Sequence, residues 1–174
     1  IPNSVTSIGY DAFEGCSSLT EVHISEIAAW CGIYFDTEYA NPLYYAHNLY
    51  LNGNLVSNLV IPDGVTLIGG SAFYNCTSLA SATIGNDVTW IGWSAFAGCA
   101  SLVSINIPEG VTLIGEGAFA DCKSLECITI PNGVDEIRYR TFKNCTSLTN
   151  IKIPYSVTWI SNAAFSGCSS LTNI

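Results

Sequence analysis

The chain has 174 residues, 49% of them hydrophobic and only 11% charged, with a net charge of −9. So acidic a chain is a poor partner for a phosphate backbone, and no apolar run is long enough to span a bilayer, so neither nucleic-acid binding nor direct membrane insertion is expected. The charge is also polarised: residues 1–121 hold eleven Asp and Glu and no Lys or Arg, whereas Lys123, Arg138, Arg140, Lys143 and Lys152 all come later.

Residues 1–23 are the first copy of a 23-residue unit that returns at 61–83, 84–106, 107–129, 130–152 and 153–174. Each copy approximates I-P-x-x-V-T-x-I-G-x-x-A-F-x-x-C-x-S-L-x-x-I-x. One column reads Phe13, Phe73, Phe96, Phe119, Phe142 and Phe165; another reads Cys16, Cys76, Cys99, Cys122, Cys145 and Cys168. A third reads Leu19, Leu79, Leu102, Leu125, Leu148 and Leu171. Within a unit, the alternation in Leu102-x-x-Ile105-x-Ile107 is the period of a short strand with one buried face. Pro108 stops that strand and Gly110 turns the chain. Val111–Ile114 predicts a second extended segment, ended by Gly115. Ala118, Phe119, Cys122 and Leu125 then follow at spacings that predict about one helical or 3₁₀ turn.

Residues 24–60 form an enlarged, irregular unit, fourteen residues longer than the others. It carries Trp30, Tyr34, Phe35, Tyr39, Tyr44, Tyr45 and Tyr50. Asn52-Gly53 predicts a tight hairpin turn between Tyr50-Leu51 and Asn54-Leu55-Val56. The aromatic residues have two readings: packing of a long insert onto the solenoid side, or a contact surface rich in rigid, amphipathic rings. On the second reading Trp30, Tyr34, Tyr44 and Tyr45 are candidate ligand contacts.

No unit of this size buries its apolar face alone, so neighbours must stack. The expected fold class is a repeat solenoid, mainly β with short helical or 3₁₀ turns, in which residues 1–174 form a single domain of about seven coils. At a strand spacing of roughly 4.8 Å the body would be about 35 Å long. Phe, Leu, Ile and Cys would run through it as internal ladders.

The motif I-P-x-x-V-T-x-I-G-x-x-A-F-x-G-C-x-S-L resembles the BspA-like leucine-rich repeats, and the resemblance covers essentially the whole chain. Even the irregular unit looks like a longer variant seen among such proteins. The resemblance implies a right-handed leucine-rich-repeat coil, a bacterial, secreted or cell-surface setting, and attachment to host proteins or other cells. It implies no particular ligand.

The six cysteines of the repeat column sit beside the Phe and Leu columns, where an inert, buried thiol ladder is favoured over disulfides. Cys127 lies beside inward Ile128 and should face solvent. His23 and His47 have no ligand-spaced partner, so no metal site is expected, and no cofactor fingerprint is present. Asp135-Glu136 and Asp36-Glu38 read as solvated turn carboxylates, and the Asn75-Cys76-Thr77 and Asn144-Cys145-Thr146 sequons have a core cysteine at their centre. A non-catalytic protein is the expectation.

Binding would then use outward positions of stacked coils. On the main strand the candidates are Glu21, His23, Ser81, Thr83, Ser104, Asn106, Thr129 and Lys152, in a row that also includes Asn58, Val60, Cys127 and Asn150. The second segment gives the row Ser7, Leu67, Trp90, Leu113, Glu136 and Trp159, whose apolar members are expected to turn inward or be shielded. The functional expectation is an extracellular module that binds a protein or cell-surface macromolecule. Its alternative is a structural spacer or the non-catalytic arm of a larger secreted protein. Both ends read as uncapped repeat fragments of a longer protein, a monomer in that context. The excerpt alone would self-associate end to end.

Overall fold

Each regular unit carries its chain once around the axis in three short segments, placed by its apolar alternation, its Pro and Gly, and its Ala-Phe pair. The computed structural model describes residues 1–174. The first segment supplies the main strands Val22–Ile24, Leu49–Leu51, Asn58–Ile61, Ser81–Ile84, Ser104–Asn106, Cys127–Thr129 and Asn150–Lys152. They pair parallel and in register, so that Asn58, Ser81 and Ser104 stand in line, as do Cys127 and Asn150. The second segment supplies two-residue strands such as Leu67–Ile68, Trp90–Ile91 and Leu113–Ile114, again parallel. The result is a mostly β solenoid with few helices.

The third segment departs from the expected helical turn. In the regular coils it is a run of tight turns with two left-handed residues four apart: Ser71 and Asn75, Ser94 and Gly98, Gly117 and Asp121, Arg140 and Asn144. The alternation aims successive N–H groups in two directions. Ala72 donates within its coil to the Gly69 carbonyl, whereas Phe73 donates 2.8 Å to the Ala95 carbonyl of the next coil. Phe96 repeats this bond to Ala118, and Phe119 to Thr141. A true helix would spend its N–H groups on itself; these turns release every other one to bind coil to coil, which satisfies buried backbone that a short helix would leave open.

Inside lie the ladders. Phe73, Phe96, Phe119 and Phe142 are fully buried, and with Phe165 they stack at ring-centroid distances of 5.2–5.7 Å. Beside them each thiol donates to the Phe carbonyl of the coil before: Cys99 to Phe73, Cys122 to Phe96 and Cys145 to Phe119, all at 3.1 Å. All the cysteines are free. Cys16 departs from the expected ladder and is exposed, because the enlarged coil above it brings neither the Phe nor the Cys that would continue the columns. Cys127 faces solvent, as its strand parity requires.

Coils approach closely along the Gly69, Gly92, Gly115 column. A Cβ on Gly92 would stand 2.5 Å from the Gly70 nitrogen, so only glycine fits. Arg138 replaces the glycine in the next coil, and there the second-strand ladder lapses: Leu113–Ile114 belongs to one sheet and Glu136–Ile137 to another.

The enlarged coil contains the helices of the molecule: α1 (Ile27–Cys31), a 3₁₀ turn at Glu38–Ala40, and α2 (Leu43–Ala46). It is locked to the coil that follows by two buried polar side chains. The Trp30 indole donates 2.8 Å to the Ala72 carbonyl, and the Asn41 amide donates 2.7 Å to the Ser71 carbonyl while its oxygen accepts from Leu43 N–H at 2.8 Å. The hairpin forms as its sequence predicts, with Leu51 opposite Asn54 and left-handed Asn52 and Gly53 at the tip.

Candidate binding faces

Three faces follow from the three segments, and each offers different chemistry. On the main-strand face Glu21, His23, Thr83, Ser104, Asn106, Thr129 and Lys152 are exposed, and Ser81 is half-buried. Several are tied to their neighbours. His23 stacks on Tyr50, with centroids 4.8 Å apart, and pairs with Glu21 at 2.9 Å. Ser81 donates 2.7 Å to the Asn58 side chain. The strand-row residues therefore fall on one face, but not on one unbroken sheet. The Leu49–Leu55 hairpin separates the sheet of Val22–Ile24 from that of Asn58–Ile61. Between hairpin and strand lies a groove of about 400 Å³ bordered by Leu51, Leu55, Val56 and Val60.

The second-strand face corrects an expectation. Trp90 does not turn inward: it is 43% exposed, with half-buried Leu67 and Leu113 as its register partners on either side. The parity of a two-residue strand decides this. Ile68, Ile91 and Ile114 take the inward positions, so their predecessors must point out. Trp159, opposite Glu136, is also exposed.

The irregular aromatics divide. Trp30 is not a contact residue: it is buried, packed edge-on against Phe35, with its N–H spent on a backbone carbonyl. A large indole that fills the core of an enlarged coil cannot also meet a partner. Tyr34 is exposed on the second-strand face, opposite Ser7. Tyr44 and Tyr45 are half-buried on α2. Tyr44 meets Tyr39 and Tyr45 edge-on at 4.9 Å each and stacks on Tyr74 at 5.9 Å. The Tyr45 hydroxyl accepts from Gly15 N–H at 3.0 Å.

These tyrosines open onto the third, tight-turn face, where the sequence pattern predicts only a turn. Its outward positions include Tyr10, Trp93, Glu116 and Tyr139 in one repeat column, with Asp11, Ser94 and Arg140 beside them. Tyr10, Asp11, Glu14, Tyr39, Tyr44 and Tyr45 line a cleft of about 290 Å³ between the first coil and the enlarged one. Further along, Trp93, Glu116, Tyr139 and Arg140 border a second of about 260 Å³. Burial pushes the Tyr74 phenol up to about 12, with the Glu38 carboxylate adding to the shift, so this ring stays neutral. The available signal was the column after Ile-Gly, which repeats in place but varies in kind.

Burial likewise raises the Cys31, Cys76, Cys99 and Cys122 thiols, Cys31 to about 12. No three of His, Cys, Asp and Glu gather where they could hold a metal ion, and no helix is long and apolar enough to cross a membrane.

A family model described as BspA type leucine rich repeat region matches in six copies, over residues 1–34 and 46–173. No curated protein matches. Among solved structures, a leucine rich cell surface protein of Faecalibacterium prausnitzii is 33% identical, with a TM-score of 0.73, over 99% of this chain and 52% of that one. A leucine-rich repeat protein of Bacteroides ovatus is 28% identical, with a TM-score of 0.62, over 99% of this chain and 52% of that one. A leucine-rich repeat protein of T. pallidum is 26% identical, with a TM-score of 0.64, over 97% of this chain and 72% of that one. The chain thus spans about half the length of the first two.

Proposed function

The chain belongs to the BspA-type leucine-rich repeat family, and from that premise we propose that it is a non-catalytic adhesion module, displayed outside the cell, that holds a host or neighbouring-cell macromolecule. Repeats of this family are protein-interaction modules and generally non-catalytic. The observation that carries the reading is the exposure of different side chains, coil after coil, from one frame held by buried Phe and Cys ladders. Core positions repeat almost without change, whereas Glu21, His23, Thr83, Ser104, Asn106, Thr129 and Lys152 differ from rung to rung while facing solvent. Variation at outward positions on an invariant frame is how a solenoid presents an extended contact surface. The description of the Faecalibacterium protein as a cell surface protein supports the setting.

The test is binding of this chain to immobilised extracellular-matrix and serum proteins. It is paired with a variant of the strand face (His23→Ala, Thr83→Ala, Asn106→Ala) and one of the tight-turn face (Tyr10→Ala, Tyr39→Ala). Saturable binding weakened by either variant supports adhesion through that face. Absence of binding to any surface protein would leave a spacer that projects other parts of a longer protein.

A further inference from the structure

We propose that the tyrosine-lined cleft between the first and the enlarged coil is a cation site that takes a Lys or Arg side chain from a basic segment of a partner protein. This rests on the protein-binding reading above and names the chemistry of one partner.

The rings are preorganised. Tyr44 is held between Tyr39 and Tyr45, edge-on to both at 4.9 Å, and is backed by Tyr74. Tyr45 is pinned by the Gly15 N–H. Tyr10 sits on a backbone whose N–H is held 2.9 Å from the Asp36 carboxylate. Yet Tyr10 is 69% and Tyr39 44% exposed. Rings turned toward an open cleft of about 290 Å³, Tyr39, Tyr44 and Tyr45 braced on one another, give a side chain a place to lie.

The charge around the cleft is of one sign. Asp11 and Glu14 line it, and Asp36 and Glu38 adjoin it in sequence beside Tyr39. The ion pairs of the molecule are Glu21 with His23 and Glu136 with Arg138, so none of these four carboxylates has a cationic partner. No Lys or Arg occurs in the first 121 residues to supply one. Aromatic faces attract a cation through their quadrupole, and unpaired carboxylates reinforce the attraction.

The repeat supplies an internal comparison. Tyr10-Asp11 occupies the same positions of its unit as Tyr139-Arg140. In the later coil the guanidinium of Arg140 lies 4.6 Å from the centre of the Tyr139 ring. There the molecule covers its own tyrosine with a cation. In the first coil the position of Arg140 is held by Asp11, so Tyr10 has no cation of its own coil beside it.

The experiment titrates fluorescein-labelled hexa-arginine and hexa-lysine peptides, with a Gly-Ser peptide as control, into the chain at low salt. The variants are Tyr10→Ala with Tyr39→Ala, Asp11→Asn with Glu14→Gln, and a remote control of equal charge change, Glu26→Gln with Glu126→Gln. Circular dichroism and urea midpoints matching the parent establish that each variant folds. The expected result is saturable binding of the basic peptides, weakened at least tenfold by the tyrosine pair and by the cleft acids, and less than twofold by the remote pair. Equal weakening by the remote and cleft acids, with no effect of the tyrosines, would overturn the site in favour of diffuse acidity. Choline binding as tightly as the peptides would overturn the partner segment in favour of a small quaternary ammonium. Failure here is separable from failure of the adhesion reading. Matrix binding without saturable, tyrosine-dependent binding of the basic peptides defeats only the cation site, and peptide binding without any matrix binding defeats only adhesion.

Discussion

The regular coils and the enlarged coil solve the same burial problem in opposite ways. From residue 61 onward each coil contributes one Phe, one Cys and one Leu to shared columns, and every regular rung is stabilised by an almost identical neighbour. The enlarged coil pairs its strands with the first coil but brings neither the Phe nor the Cys of those columns. It fills its interior with Trp30, Phe35 and Leu43, and it docks through Trp30 and Asn41 onto carbonyls of the coil that follows. Repetition gives a stable frame whose outward side chains vary from coil to coil; irregularity gives a tyrosine-lined cleft, and needs specific polar bonds to hold it. The comparison therefore predicts where loss of one side chain damages the frame and where it damages only recognition.

The largest effect should come from truncating a core ring on either side of the divide. Phe119→Ala and Trp30→Ala should each cost about 3–5 kcal/mol, seen as a lower urea midpoint, because both empty a fully buried site. Similar losses mean that the enlarged coil shares the core. A Trp30→Ala loss below about 1 kcal/mol would instead make that coil an appendage clipped to the solenoid. Next comes Asn41→Leu, which keeps bulk but leaves the buried Leu43 N–H without its acceptor, while the Ser71 and Ala72 carbonyls keep the Tyr74 N–H and the Trp30 indole. Leaving such a group unpaired costs about 1–3 kcal/mol. The expected companion is earlier proteolysis within 24–60 than within the regular coils, and uniform cleavage would break the comparison.

In the regular coils the equivalent weak point is backbone, not side chain. Gly98 has φ +74°, and a Cβ there would meet the Asn75 side chain. Gly98→Val should cost roughly 1–2 kcal/mol for the left-handed backbone, with crowding added. Gly98→Asn should cost less, because the same column already holds left-handed Asn75, Asp121 and Asn144, and Asn144 bonds to Asp121 at 2.9 Å. Equal losses would mean that packing rather than backbone conformation sets the requirement.

Much of the frame was legible because repetition multiplies a weak signal. Six copies of one phenylalanine column cannot be read as surface, and the Ile parity of each short strand fixes which residue points out. The tight turns were not legible. Ala118, Phe119, Cys122 and Leu125 have helical spacing, and the left-handed residue can be Ser94, Arg140 or Ala163 as readily as glycine, so composition hides it. Trp30 carried both readings, packing and contact, because aromatic density marks cores and contact surfaces alike; its burial and its bond to Ala72 decide for packing. Tyr10 was overlooked because its column is Gly70, Trp93 and Glu116 elsewhere, a variation that reads as loop until the coils are stacked.

The smallest effect at neutral pH concerns the thiols, and it reads exposure within both regions instead of stability. Cys16, left without a rung above it, and outward Cys127 should be alkylated by iodoacetamide at pH 8, whereas Cys31, Cys76, Cys99 and Cys122 should be protected. The buried group also carries a pH dependence of known sign. Unfolded thiols ionise near 9.0, whereas burial holds Cys31 protonated up to about 12 and shifts the ladder thiols in the same direction. The folded state thus binds more protons between these values, so stability is flat below pH 9 and falls as the pH rises through that window. Urea midpoints at pH 7, 8 and 10.5 test this, with a decline expected only at the highest. Replacing Cys99 and Cys122 by Ala should lessen the decline while lowering stability at pH 7 by loss of packing. A midpoint unchanged at pH 10.5 would mean that the thiols of both regions meet water in the folded state.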